Sequence, residues 1–111
     1  MTMVNSVAPA NQSVVPLSGE LNIRTIAAAH AELIEAFKIH QEVVGAIDPA
    51  SSVDLTLVQL IESARRTARS IDGSFTLAAP AEGGLLETLR RGGFLETAEQ
   101  REFWLKTPGE Q

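Results

Sequence analysis

At 111 residues, the chain has the size of one domain: it is long enough for a two-layer core and too short for two independent cores. A net charge of −5 argues against a nucleic-acid-binding surface, and the absence of cysteine excludes disulfides and thiolate chemistry. No stretch has the roughly 18 to 20 apolar residues of a membrane span, so we expect a cytoplasmic protein without membrane insertion.

The first half of the chain predicts two strands separated by a helix. Residues 1–13 lack a clean period and form either a short edge strand or a loose tail. Residues 14–17 predict a strand, and Pro16 indicates either an edge position or the end of that strand. Apolar residues at spacings of three and four then predict a helix from Asn22 or Thr25 to about Gln41, and the β-branched run 43–47 predicts a buried strand.

The second half continues the alternation. We expect an amphipathic helix over 56–71, a strand over 74–79 after an Asp-Gly turn, and a helix over 81–91. Residues 102–105 predict a last edge strand, in which Trp104 covers the sheet as a hydrophobic lid or, if exposed, anchors a partner. The tail 107–111 is expected to be disordered.

Alternating strands and helices predict an α/β fold. We expect one domain over residues 14–106, with a mixed sheet of four to five strands and helices packed mainly on one face.

Four short motifs follow one another in the chain, and their joint order resembles the STAS domain family, which includes the anti-sigma factor antagonists. The motifs are most similar to those of small stand-alone bacterial STAS proteins of chemotaxis-type signalling, and the resemblance covers residues 16–95. The motifs are Leu17-Ser18-Gly19-Glu20-Leu21-Asn22, Val53-Asp54-Leu55-Thr56-Leu57-Val58-Gln59-Leu60-Ile61, Ala79-Pro80 and Leu89-Arg90-Arg91-Gly92-Gly93-Phe94.

The second motif is where the resemblance implies function. In the family an acid precedes two small residues and a Gly, and the second small residue is often phosphorylated; these positions fall on Asp54 and Thr56. Leu57 stands in place of the Gly, and the upstream family Asp falls on Ala46. The resemblance implies a phosphorylation candidate at Thr56 and a partner-binding surface formed by Ser52, Asp54, Leu55, Thr56, Leu57, Val58 and Gln59.

The residues themselves allow two interpretations of this stretch. Asp54 and Thr56 lie at a helix N-terminus, where they either cap the helix alone or cap it and also contact a partner. Helical periodicity directs Leu57 toward the core.

The resemblance implies a non-enzymatic interaction module whose partner is an anti-sigma factor kinase or a chemotaxis-type signalling protein. Two alternatives remain open: a soluble STAS subunit of a phospholipid-trafficking ABC transporter, and a small-ligand sensor.

The sequence contains few residues in the arrangements typical of an active site. His30 and His40 are ten positions apart, which is not the spacing that brings two imidazoles to one metal. No nucleophile–base pair is evident, and we expect neither an enzyme nor a cofactor. The trio Arg65, Arg66 and Arg69 is interpreted as a solvated helix face offset by Glu62, and residues 82–84 as a helix-entry turn.

Overall fold

Strands and helices alternate along residues 12–106, the part of the chain that this computed structural model describes. Within these residues the chain forms a single α/β domain, as predicted. Its elements are β1 (Gln12–Leu17), β2 (Glu20–Leu21), α1 (Ile26–Ile39), β3 (Glu42–Ile47), β4 (Ser52–Val53), α2 (Leu55–Ser70), β5 (Ser74–Leu77), α3 (Gly83–Gly92) and α4 (Ala98–Leu105).

The strands of residues 12–106 form two parallel sheets rather than one mixed sheet of four to five strands. The larger sheet has the order β1-β3-β5, and its register aligns Val14, Val44 and Thr76 across the three strands. The smaller sheet pairs β2 with β4 over two residues each. The predicted sheet was therefore too large, and the described strand pairs are all parallel.

Helices cover one face of the larger sheet. Strand side chains alternate between the two faces, and Val43, Phe75 and Leu77 point into the core. The ring of Phe75 lies 6.3 Å from that of Phe37 in α1 and 6.4 Å from that of Phe103 in α4. Both helices therefore pack on the face that carries Phe75.

The C-terminal segment corrects the sequence prediction. Residues 102–105 belong to helix α4, not to an edge strand. The hydroxyl of Thr97 accepts a hydrogen bond from the Gln100 N–H at 3.1 Å, and the Gln100 side chain accepts one from the Thr97 N–H at 3.0 Å. This reciprocal capping box satisfies two backbone donors at the helix start. Trp104 is fully buried, which rules it out as an exposed anchor.

The predictions for the chain ends lie largely outside the described residues. Strand β1 begins at Gln12, two residues before its predicted start. Residues 1–11, for which an edge strand and a loose tail were both open, and the expected tail 107–111 lie outside the described residues. Among residues 12–106, no helix combines the length and the apolar character that crossing a membrane requires.

Candidate functional site

Helix α2 starts directly after β4, and Asp54 is the residue that caps it. Its Oδ1 accepts a hydrogen bond from the Thr56 N–H at 2.9 Å, and its backbone carbonyl accepts one from the Leu57 N–H at 3.0 Å. A helix N-terminus leaves four N–H groups without intrahelical partners, and Asp54 satisfies two of them. The predicted capping role of Asp54 is confirmed. The predicted capping role of Thr56 is wrong, because Thr56 is the second residue of α2 and donates its N–H to the cap.

The side chains of the predicted partner-binding surface divide between core and solvent. Leu57 is 0% exposed and Val58 is 1% exposed. Helical geometry turns both toward the sheet, as the periodicity predicted for Leu57, so neither side chain can contact a partner. We correct the predicted surface accordingly. The exposed members are Ser52, Asp54, Leu55 and Gln59, and Thr56 is half-buried.

An apolar corner, defined here as Leu55, Gly92 and Phe94, lies beside Thr56. Leu55 is 46% exposed although it is a large apolar residue. A methyl group on Gly92 would lie 3.7 Å from Leu55 Cδ1 and 2.7 Å from Phe94 Cε2, so the three residues are neighbours. The end of α3 thus continues the apolar surface that Leu55 begins on α2.

Gly92 and Phe94 belong to the fourth motif but were not among the predicted site residues. Gly93 ends α3 in the left-handed conformation that favours glycine, with φ of 78°. Nothing local to these residues predicts their contact with α2, because the corner depends on how α3 packs.

The loop before α2 joins the first two motifs. The Ser52 N–H donates to the Gly19 carbonyl at 2.9 Å, and Glu20 pairs with Ser52 in the smaller sheet. Asp48 Oδ1 accepts from the Ala50 N–H at 2.9 Å, which fixes the turn that follows β3. The 51–59 segment is therefore tied to the carboxyl end of the sheet.

The third motif, Ala79-Pro80, lines a small cavity of about 40 Å³ together with Ile47 and Leu85. This volume is enough for ordered water but not for a small-molecule ligand, since ligand pockets measure hundreds of Å³.

The arginine trio is not uniformly solvated. Arg66 and Arg69 are exposed, as predicted. The Arg65 side chain is only 17% exposed, and its guanidinium lies 3.6 Å from the Glu62 carboxylate and 4.1 Å from the Phe103 ring centroid. Arg65 therefore packs between α2 and α4, and its interpretation as part of a solvated face is wrong.

Metal-ligating residues do not converge within the described part of the chain. No group of three or more His, Asp or Glu side chains in residues 12–106 has a geometry that could hold a metal ion. His30 is exposed, and His40 is half-buried at the end of α1.

Comparisons of the chain with protein-family models, with curated proteins and with solved structures each find no match.

Proposed function

We propose that the protein is a non-enzymatic interaction module of bacterial signalling that acts in the cytoplasm as a STAS-like, anti-sigma factor antagonist-like domain. Its partner is a signalling protein such as an anti-sigma factor kinase or a chemotaxis-type protein. The partner docks on the apolar corner of Leu55, Gly92 and Phe94 together with its polar neighbours Ser52, Asp54, Thr56 and Gln59. The proposal rests on the exposure of Leu55 next to a threonine hydroxyl at a helix start, and on the resemblance of the four motifs.

The exposed fraction of Leu55 determines how much binding free energy a partner gains by covering this side chain. Complete burial of a leucine side chain contributes about 1.5–3 kcal/mol, so covering the remaining 46% contributes about 1 kcal/mol. Phe94 is half-buried and adds further area. A complex of micromolar affinity corresponds to about 8 kcal/mol, so the corner supplies part of the binding free energy and its polar neighbours supply further contacts.

Phosphorylation of Thr56 would switch this contact off. A phosphate adds about −1.5 to −2 charges at neutral pH. Asp54 already occupies the Thr56 N–H and carries its own exposed carboxylate, so the new charge is repelled by its neighbour. Burying the phosphate under a partner without an arginine cluster costs several kcal/mol, which is enough to release a micromolar complex.

The test uses affinity purification of the full chain from its native host, followed by mass spectrometry of co-purifying proteins and of phosphate on Thr56. Leu55→Ser is expected to reduce partner recovery at least fivefold, because it removes about 1 kcal/mol of apolar burial and places an unpaired hydroxyl under the partner. Ile39→Ser is the matched control, because Ile39 is also an exposed apolar residue, at 73% exposure, but lies at the C-terminal end of α1, where it borders a cavity with Val14 of β1 rather than the corner. Equal recovery of the partner with both variants contradicts the proposed surface.

The phosphoswitch is tested separately. Thr56→Glu is expected to reduce partner recovery at least tenfold, which corresponds to about 1.4 kcal/mol, and Thr56→Ala is expected to retain it. If both variants leave partner recovery and signalling output unchanged, the switch is rejected while the docking surface stands or falls with Leu55→Ser.

A further inference from the structure

We propose that the outer edge of β1, together with the groove between β1 and α1, binds an extended segment of a partner protein that carries alternating apolar and basic residues. The segment pairs with β1 as an added strand. This surface shares no residue with the docking surface around Leu55, and it does not depend on the function proposed above.

The backbone of β1 has one paired and one outward side. Among residues 12–106, β3 is the only strand that pairs with β1. The Leu17 carbonyl accepts a hydrogen bond from the Asp48 N–H at 3.0 Å, so the backbone N–H and carbonyl of Leu17 point toward β3. Successive residues of a strand direct their backbone groups to opposite sides, so those of Pro16 and Val14 face outward. Because the backbone of Pro16 faces outward, its missing N–H removes no hydrogen bond between β1 and β3. The Val14 N–H and the carbonyls of Val14 and Pro16 face outward, where they can pair with an added strand.

The groove beside this edge is large enough for side chains. Two adjoining cavities of about 350 Å³ and 250 Å³ run along β1 and share Pro16 and Glu32 in their linings. Ala29 and Ala36 form the buried part of the α1 wall. Side chains that alternate along an added strand would enter this groove at every second position.

Exposed apolar side chains line one end of the groove. Val14 is 53% exposed and Ile39 is 73% exposed, and both border the smaller cavity. His40 lines the same cavity, and its buried Nδ1 has no hydrogen-bond partner among the described residues. A bound segment would cover the apolar groups and bring a polar group to this nitrogen.

The glutamate side chains of the groove favour a partner segment that carries basic residues. Glu20, Glu32 and Glu35 border the two cavities, and their linings contain no lysine or arginine. Lys38 offsets Glu35 through an ion pair of 3.2 Å, while no ion pair within residues 12–106 involves Glu20 or Glu32. Lysine or arginine side chains of a partner therefore find two uncompensated carboxylates beside the strand edge.

The same charges disfavour a second copy of this chain as the occupant. A twofold pairing of β1 with β1 would bring the two acidic groove rims toward each other, and residues 12–17 contain no basic residue to offset them. A basic partner segment is the better match.

The test measures binding of a fluorescein-labelled peptide, Val-Lys-Val-Lys-Val-Lys-Val, to the full chain by fluorescence anisotropy. Two control peptides accompany it: one with glutamate in place of each lysine, and one of unchanged charge with N-methylated valines that cannot complete a strand ladder. We expect binding of the first peptide only, with at least tenfold weaker binding of both controls. Comparable binding of the N-methylated peptide would show simple charge attraction and overturn the proposal.

Variants locate the site. Glu32→Lys is expected to weaken binding about tenfold, the scale of one charge pair at an interface. Glu99→Lys makes the same charge change at an exposed residue of α4, which packs against β5 at the opposite edge of the sheet from β1, and is expected to have little effect. Leu55→Ser is expected to leave peptide binding unchanged, which separates this surface from the apolar corner. Equal losses for Glu32→Lys and Glu99→Lys would refute the assignment.

Amide hydrogen exchange supplies the last criterion. The Val14 N–H is expected to exchange rapidly in the free protein and to become at least tenfold slower with peptide. Slow exchange of this amide in the free protein would show that another segment of the chain or a second copy already occupies the edge, and the proposal would fail. Sedimentation equilibrium then distinguishes those two occupants.

Discussion

The guanidinium carbon of Arg65 lies 4.1 Å from the ring centroid of Phe103, and this contact joins helix α2 to helix α4. The Phe103 ring also meets the Trp104 ring edge-on at a centroid distance of 4.9 Å. A cation held over an aromatic face contributes about 0.5–1 kcal/mol at partly exposed sites. The contact therefore helps to hold a short C-terminal helix of eight residues on the domain.

A double-mutant cycle measures this contact. Arg65→Gln and Phe103→Leu are each expected to lower the free energy of unfolding, and their coupling should be about 0.5–1 kcal/mol. Urea unfolding of the two single variants and the double variant gives the value. Arg66→Gln is the control, because Arg66 is exposed and its loss should change stability by less than about 0.5 kcal/mol. A coupling indistinguishable from zero would show that Arg65 and Phe103 act independently.

The start of α4 gives a second prediction. Thr97→Ala removes the hydroxyl that accepts from the Gln100 N–H, and we expect a loss of about 1 kcal/mol in the free energy of unfolding. Thr97→Ser keeps an acceptor oxygen and should lose much less. Trp104 is the single tryptophan, so its fluorescence reports directly on the packing of this helix. Full stability in Thr97→Ala would mean that the capping box contributes nothing.

Long periodic segments of this fold could be predicted from the sequence, and short or ambiguous ones could not. The stripe of Leu57, Ile61, Ala64 and Ala68 predicted α2 within one residue at each end, because a helix of 16 residues repeats its pattern several times. The strands β2 and β4 have two residues each, and no period can be recognised in so short a segment.

The error at residues 102–105 has a local cause. Phe103 and Trp104 have high strand propensity, and a run of four residues cannot distinguish a strand from a helix by periodicity. The decisive signal lay upstream in Thr97-Ala98-Glu99-Gln100, the pattern of a capping box.

The candidate site was predictable in part for a similar reason. Asp54 as the cap follows from residue type and position, as does the inward direction of Leu57. Gly92 and Phe94 lie more than 35 residues from Leu55 in the sequence, and their proximity to Leu55 arises only from the packing of α3 near α2. No property of the second motif indicates that contact.

The turn between α2 and β5 gives a third prediction. A methyl group on Gly73 would lie 2.1 Å from the backbone carbonyl oxygen of Gln41, so Gly73→Ala forces the backbone to move. The same turn carries the Ser74 N–H that donates to this oxygen at 2.9 Å, and the shift would weaken that bond. We expect Gly73→Ala to lower the free energy of unfolding by about 2 kcal/mol or more.

Gly84→Ala is the matched control for this substitution. Its added methyl group would lie 3.7 Å from the Ser51 carbonyl oxygen and from Val53 Cγ2, which is ordinary van der Waals contact. Because alanine also favours the helical state, this variant should be neutral or more stable by up to about 1 kcal/mol. Similar destabilisation in both variants would contradict the close approach at Gly73.

The last prediction separates the structural role of Asp54 from any role in partner binding. Asp54→Ala removes the acceptor of the Thr56 N–H bond at 2.9 Å and should lower the free energy of unfolding by about 1 kcal/mol. Asp54→Ser retains a side-chain oxygen that can cap the helix, so its stability should stay close to that of the parent chain. The serine variant also lacks the carboxylate, which makes it the right background for measuring partner recovery with a folded α2. If Asp54→Ser keeps its stability but loses the partner, the carboxylate contributes to docking; if it keeps both, Asp54 acts only as a cap.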